Sequence, residues 1–329
     1  MAAFHLHIKN NRAGETVFRT TSAQYDVAAA RHAEIASQVT TIIDWDLDSF
    51  DQSMRKASGL VTYDLPTSDL ARRAPNLKWI HIIGAGVEHL LPLDWLPPGV
   101  ALTNSRGVHA QKAGEYAAMA LLMLNAGLPK LAADQRARRW DPVFTSSIRG
   151  KTCLIVGVGQ MGAAAARQAK ALGLHVMGVR RHGRKARFVD EMVGPDDLDG
   201  VLPLADFVIV TTPLTAETRG LIDDARLGRM KPTAGLINMG RAAVVDYAAL
   251  SVRLRDGHLS GAVLDVFNPE PLPAHSPMWD TPNLIMTPHV SSDDADGYVQ
   301  GVLDIVFDNI GRTLAGKPLR NRVNPKLGY

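Results

Sequence analysis

Along the chain, short apolar runs alternate with longer amphipathic stretches. Runs at residues 5–9, 40–45, 59–63, 78–83 and 100–103 predict five strands, with helical segments at 26–38 and 68–74 between them. Further on, runs at 153–156, 175–179, 207–210, 235–238, 262–266 and 284–286 predict six more strands, spaced by helical segments at 163–172, 197–204, 223–230 and 247–256. Strand and helix in alternation imply parallel sheets with right-handed crossovers, so both halves read as α/β. Residues 108–128 read as one long helix. Its middle, YAAMALLML, is apolar nearly all round, as in a helix buried within a core or at a subunit interface. Gly127-Leu128-Pro129 ends it, and 130–139 follows as a charged, solvated helix. Residues 296–314 show apolar positions at helical spacing and are expected to pack back on the first domain. The predicted architecture is therefore two doubly wound parallel-sheet domains. A dinucleotide-binding domain of the Rossmann type, 106–291, is inserted into a smaller flavodoxin-like substrate domain made of 1–105 and 292–329.

The six-stranded half opens on KTCLIVGVGQMG, in which an apolar strand runs into Gly157, Gly159 and Gly162 at G-x-G-x-x-G spacing and a helix follows. One glycine permits the turn, one lets backbone approach a pyrophosphate, and one lets helix pack close to strand. The helix N-terminus then offers free N–H groups to phosphates. The strand before and the helix after are the context that gives this motif its meaning. In an NAD site, an Asp or Glu roughly 20 residues further on accepts from the ribose hydroxyls. Here that place is taken by Arg180, followed by Arg181, His182, Arg184, Lys185 and Arg187. Arginine attracts a 2′-phosphate that a carboxylate would repel, so NADP(H) is expected to be preferred over NAD(H), with Arg180 and Arg181 as the contacts.

Composition narrows the class. Apolar residues are 46% and charged residues 21% of 329, as in globular protein, and a net charge of +3 from 36 basic and 33 acidic residues gives no reason to expect a nucleic-acid partner. Neither a signal-peptide core nor an apolar run near the ~20 residues of a bilayer span is seen, which gives a cytoplasmic reading with no membrane partner. The single cysteine, Cys153, lies in a predicted buried strand and forms no thiolate metal cluster. His5 and His7 share a strand face, but two nitrogens alone make a poor metal site, so no metal is expected.

Arg241, Glu270 and His289 fall at or just beyond the ends of successive predicted strands, the edge where ligands collect in this fold. Around them INMGRAAVVD (237–246), GAVLDVFNPEPLP (261–273) and MTPHVSS (286–292) resemble the signatures of the NAD(P)-dependent D-2-hydroxyacid dehydrogenases. TTPLTAETRGLID (211–223), GAGVEH (84–89) and AGEYAAMALLML (113–124) agree with that family in order and spacing, and the likeness spans nearly the whole chain.

The resemblance implies reduction of a small 2-keto acid to a D-2-hydroxy acid, with His289 as the general acid. Imidazole titrates near neutrality, which suits that task. Glu270 would pair with His289 and favour its charged form, and Arg241 would bind the substrate carboxylate and polarise the carbonyl. Backbone N–H groups around Ala85, Gly86 and Val87 would make a second carboxylate contact. Gln160 and Met161 in the turn, then Thr212, Pro213, Met239 and Asp265, are implied as cofactor contacts, Asp265 near the nicotinamide amide. The NADP-preferring glyoxylate and hydroxypyruvate reductases are the nearest branch; D-lactate dehydrogenase and a dinucleotide-sensing corepressor are the alternatives. A homodimer is expected from the long apolar helix; Trp140 is read as ordinary interface or core packing, with a place near a partner's active site, where family members carry an aromatic, as the alternative. The acidic run Ser291-Ser292-Asp293-Asp294-Ala295-Asp296 departs from the family. It is read as a cap for the following helix, or else as a charge that opposes large anionic substrates.

Overall fold

The computed structural model describes residues 4–181 and 185–325, and these fall into two compact units, Met1–Val108 with Asp294–Tyr329, and His109–Asp293. In the first unit β1 (Phe4–Asn10), β2 (Val39–Trp45), β3 (Gly59–Thr62), β4 (Trp79–Ile82) and β5 (Ala101–Asn104) form a parallel sheet in the order β2-β1-β3-β4-β5. That is the flavodoxin-like order. Alternating side chains supply two cores. Phe4, Leu6, Ile8 and Trp79 pack on one face against Tyr298, Val302, Val306 and Phe307 of the last helix, Tyr298–Leu314. Leu60, Ile80, Ile82 and Leu102 pack on the other against Phe50, Met54 and Leu70. The C-terminal helix thus completes the core of the N-terminal sheet, as its apolar spacing predicts. The predicted helix over 26–38 is instead two, Ser22–Arg31 and Ala33–Ala36. It starts early because Thr21 and Gln24 form a reciprocal capping box, with Gln24 N donating to Thr21 Oγ1 and Thr21 N to Gln24 Oε1.

In the second unit the strands are β6 (Thr152–Val156), β7 (His175–Val179), β8 (Glu191–Val193), β9 (Phe207–Val210), β10 (Gly235–Asn238), β11 (Gly261–Leu264) and β12 (Leu284–Met286). All are parallel, in the order β12-β11-β10-β9-β6-β7-β8, which is the doubly wound dinucleotide order with one strand added at an edge. Seven strands stand where six are predicted. The extra one, β8, is only three residues long and has no fully buried position, so it leaves no apolar run to find. The expected helix over 197–204 is resolved into single turns at Pro195–Asp197, Leu198–Val201 and Leu202–Leu204. Cys153 is fully buried, and burial pushes its thiol up to about 12, which makes it a small core residue.

The long apolar segment forms the helix Ala110–Asn125, which ends ahead of Gly127 (φ +68°) as predicted, and the charged helix that follows, Leu128–Arg136, is turned through 67° from it. The first buries Tyr116, Ala117, Ala120, Leu121 and Leu124 but leaves Met119 and Leu122 exposed, so it is not enclosed on all sides within the chain. Among the described residues no single helix is long and apolar enough to cross a membrane.

Candidate active site

The glycine turn is built by steric necessity. Gly157 has φ +103°, and a Cβ there would lie 2.7 Å from Thr212 Cγ2. At Gly162 a Cβ would come within 2.3 Å of Gly157 O and 2.9 Å of Thr211 Oγ1, so only glycine lets the helix Gln160–Ala171 approach β6. Gly159 differs, because a Cβ there would meet nothing within 4 Å. It faces open space at a helix N-terminus that has no side-chain cap. The buried Thr212 Oγ1 beside Gly157 has no hydrogen-bond partner among the described residues. Free N–H groups, an open glycine and an orphaned hydroxyl together fit the phosphates of a dinucleotide.

Arg180 is the first residue after β7, at the edge where the adenosine ribose lies in this fold. Its backbone N–H is anchored to Val193 O at 3.2 Å, and its side chain is exposed. Arg181 is also exposed and lies 3.7 Å from Glu217 Oε2, which partly neutralises it. His182 and Arg184 of the basic cluster lie outside the described residues. Arg187 stacks its guanidinium over the Phe188 ring at 4.7 Å.

At the other side of the sheet, β10, β11 and β12 are neighbours whose ends align, with Asn238 paired to Leu264 and Leu264 to Met286. The residues that follow each strand therefore emerge together. His289 Nδ1 is 2.8 Å from Glu270 Oε2, and Phe267 N donates to Glu270 Oε1 at 2.7 Å, fixing the carboxylate. Both side chains are partly exposed. With Nδ1 engaged, His289 has Nε2 left for a ligand. Arg241 follows β10 and holds Gly240 O through Nη1 at 2.9 Å. Its backbone is set by Asn238, which receives Gly240 N at 3.0 Å and donates to Arg241 O at 3.2 Å and to Tyr247 Oη at 2.9 Å.

Beneath His289 lies Asp265, which is fully buried. Its Oδ1 accepts from Thr287 Oγ1 at 2.6 Å and Val290 N at 2.9 Å, and its Oδ2 accepts from Ser291 N at 2.9 Å. Since the Thr287 hydrogen goes to Asp265, the Tyr116 hydroxyl donates to Thr287 Oγ1 at 2.6 Å, and burial pushes that phenol up to about 12. Asn238, Tyr247, Thr287 and Tyr116 were not singled out in the sequence. Three of them sit inside or beside the motifs around Arg241 and His289, but motif text does not say which neighbours support the site.

The remaining predicted residues are dispersed. Ala85, Gly86 and Val87 belong to the first unit, in the loop after β4, where Asn104 Nδ2 donates to Ala85 O at 2.6 Å. Met239 is buried in the second unit's core, and Pro213 is exposed beyond β9. Gln160 is exposed at the helix start, and Met161 packs partly against the core. His7 is buried with Nδ1 2.5 Å from Ser53 Oγ, and burial lowers its pKa to about 4. Trp140 is 99% and Phe144 92% exposed, so neither packs in this chain's own core. In the acidic run, Asp294 Oδ1 receives Asp296 N and Gly297 N at 3.1 Å each. This closes the turn ahead of the last helix; the expected side-chain cap on the helix itself is not made.

Residues 118–291 match the family described as D-isomer specific 2-hydroxyacid dehydrogenase, NAD binding domain. A glyoxylate reductase of Thermofilum pendens is 33% identical over 264 residues, covering 77% of this chain and 77% of that one. Among solved structures, a D-isomer specific 2-hydroxyacid dehydrogenase of Xanthobacter autotrophicus in complex with NADPH and MES superposes with a TM-score of 0.84 at 29% identity, over 100% of both chains. An NADPH-dependent glyoxylate/hydroxypyruvate reductase of Sinorhizobium meliloti in complex with NADP and sulfate does so at 0.81 and 28%, over 99% of this chain and 100% of that one. With the doubly wound sheet, its glycine turn and this family match in hand, the chain belongs to the D-isomer specific 2-hydroxyacid dehydrogenases, oxidoreductases that work on small 2-hydroxy or 2-keto acids with NAD(P).

Proposed function

We propose that this protein reduces small 2-keto acids of the glyoxylate and hydroxypyruvate type to D-2-hydroxy acids, with NADPH preferred over NADH. The observation that carries this reading is the His289–Glu270 pair at 2.8 Å, set on strand ends aligned with the one that leads to Arg241. The bound nicotinamide supplies the hydride. Arg241 binds the substrate carboxylate and draws charge from the carbonyl, and His289 delivers a proton from Nε2 to the carbonyl oxygen as it becomes an alkoxide. Glu270 holds the ring in place and balances the charge of the imidazolium. The backbone N–H groups at Ala85, Gly86 and Val87 are read as the second contact for the substrate carboxylate. Thr212, Pro213, Met239, Gln160 and Met161 line the cofactor, the first of these through its orphaned hydroxyl.

The preference for NADPH rests on Arg180, an exposed cation where an NAD enzyme carries an acid. The relatives that bear glyoxylate or hydroxypyruvate reductase names support the substrate class. A homodimer in the cytoplasm completes the reading. Met119 and Leu122 on the long helix, with Trp140 and Phe144 beyond it, are the apolar surface that a second copy would cover. The test is a panel of glyoxylate, hydroxypyruvate and pyruvate, each assayed with NADPH and with NADH. The expected result is highest kcat/KM for glyoxylate or hydroxypyruvate with NADPH. Activity confined to pyruvate would move the protein to the D-lactate branch, and binding of NADPH without turnover of any keto acid would leave a dinucleotide sensor.

A further inference from the structure

Between Asn238 and Tyr247 the chain leaves β10, turns at Arg241 and enters the helix Tyr247–Arg255. Asp246 caps that helix by accepting from Ala249 N at 3.0 Å, and Leu250 and Leu254 anchor it in the core, which fixes where its first residue stands. That residue is Tyr247. Its hydroxyl donates to Val266 O at 2.8 Å and accepts from Asn238 Nδ2 at 2.9 Å. Its ring meets the Phe267 ring edge to face, with centroids 6.1 Å apart.

The two sides of this contact lead to different parts of the site. Asn238 receives Gly240 N and donates to Arg241 O, so it holds the turn that presents Arg241. Val266 and Phe267 lead into Glu270, whose Oε1 accepts from Phe267 N and whose Oε2 meets His289 Nδ1. The backbone ladder between β10 and β11 closes with Asp265 N donating to Asn238 O at 3.0 Å. Beyond that bond both segments leave the sheet, one towards Arg241 and one towards Glu270. There the Tyr247 hydroxyl ties them, with one hydrogen bond to each side. Asn238 and Val266 are buried, so a carbonyl deprived of this donor is costly to leave unpaired. Burial also pushes the Tyr247 phenol up, so the hydroxyl keeps its hydrogen at neutral pH.

We propose that Tyr247 is a positioning residue that fixes the separation between the carboxylate clamp, Arg241, and the proton-donor pair, His289 and Glu270. It acts through Asn238 on one side and through Val266 and Phe267 on the other. The proposal rests on the 2-keto acid reductase reading of the site. In that reaction one carbonyl must be polarised and protonated in a single geometry, and a misplacement of about 1 Å is worth on the order of 100-fold in rate. Loss of the tie lets the two segments shift by a fraction of that distance, for an expected fall in kcat of about 10-fold.

Tyr247→Phe removes the hydroxyl and keeps the ring on Phe267. Steady-state kinetics use NADPH and the keto acid of highest kcat/KM, at matched concentrations of folded enzyme. The variant should show kcat lower by about 10-fold and KM within about 3-fold of the parent, with the affinity for NADPH unchanged by fluorescence titration. The deciding readout is a double-mutant cycle with Arg241→Lys, which removes the planar guanidinium fork. A residue that holds the fork against the proton donor has little left to hold once the fork is gone, so the loss from Tyr247→Phe should shrink below about 3-fold in that background. A tyrosine that only supports the fold would lower activity by the same factor in both backgrounds, and that additivity would overturn the proposal. So would a parental kcat in folded Tyr247→Phe, while the reductase reading stands. Should that variant not fold, Tyr247→Met also lacks the donor and packs adaptably, and the same results are expected of it and the same results overturn the role. A parent that reduces no 2-keto acid with either cofactor would sink the reductase reading and the proposal with it.

Discussion

His289 holds a left-handed backbone, φ +56°, and donates its N–H to the carbonyl of Asp265 at 2.8 Å. The two residues beyond it turn their N–H groups onto the carboxylate of the same aspartate, so three successive amides converge on one residue. A histidine is costly in that conformation, by on the order of 1–3 kcal/mol, and it persists because the surroundings fix it. Asp265 was expected to touch the nicotinamide amide, yet its oxygens are engaged within the protein.

Asp265→Asn therefore tests positioning against cofactor contact. An amide offers one oxygen where two are used, and loss of a charged hydrogen bond is worth about 1.5–3 kcal/mol, which corresponds to a fall in kcat of about 10- to 100-fold. The affinity for NADPH, measured by fluorescence titration, should barely move. A loss of affinity as large as the loss of kcat would make Asp265 a direct cofactor contact.

The glycine turn predicts two different outcomes from the same substitution. Gly162→Ala drives a methyl into the Gly157 carbonyl, so the melting temperature should drop, with overpacking worth about 1–3 kcal/mol. Gly159→Ala meets no protein atom and should leave melting nearly intact while weakening dinucleotide binding. Calorimetry of both variants, with and without NADPH, separates the two effects. Equal melting temperatures for the two would show that the close approach at Gly162 is not binding on the fold.

Reversing the charge at Arg180 should exchange the cofactors. Arg180→Asp is expected to shift the ratio of kcat/KM for NADPH over NADH towards NADH by on the order of 100-fold. Steady-state kinetics with both cofactors at one fixed substrate level measure it. An unmoved ratio would assign the 2′-phosphate to another residue of the basic cluster.

Two buried histidines of the first unit make stability depend on pH. Burial lowers His7 to about 4 and His81 to about 3, from an ordinary 6.5. Both are neutral in the fold while the unfolded chain takes up protons below pH 6.5, so acid favours unfolding. Stability is full above about pH 6.5 and falls by about 1.4 kcal/mol per pH unit for each histidine as pH drops towards those lowered values. Urea unfolding of the parent and of His81→Asn at pH 7.5, 6 and 5 checks the sign. The variant should lose less stability per pH unit, and parallel curves would remove His81 from the account.

Much of this was legible in the residues because the signals are local. The strands of both sheets are apolar runs, and Gly157, Gly159 and Gly162 are spaced by the steric demands of a strand-to-helix turn. Where the reading failed, the deciding contact was distant in sequence or too short to make a pattern. β8 has three partly exposed residues held by pairing with β7. The helix predicted over 26–38 breaks at His32, whose ring lies 2.8 Å from Asp304 across the chain. The chain from Tyr116 through Thr287 to Asp265 joins residues up to 171 positions apart, and nothing in the spacing of a tyrosine on an apolar helix announces it.

The last helix, Tyr298–Leu314, has a consequence for how the protein is made. Its apolar face fills the core that Phe4, Leu6 and Ile8 open at the other end of the chain. A ribosome delivers those strands first and that helix last, so the N-terminal sheet leaves the exit tunnel with one face bare. Meanwhile the intervening unit, contiguous from His109 to Asp293, receives all its own core as it emerges. Folding during synthesis therefore departs from the order of translation: the middle closes first, and the beginning waits for the end.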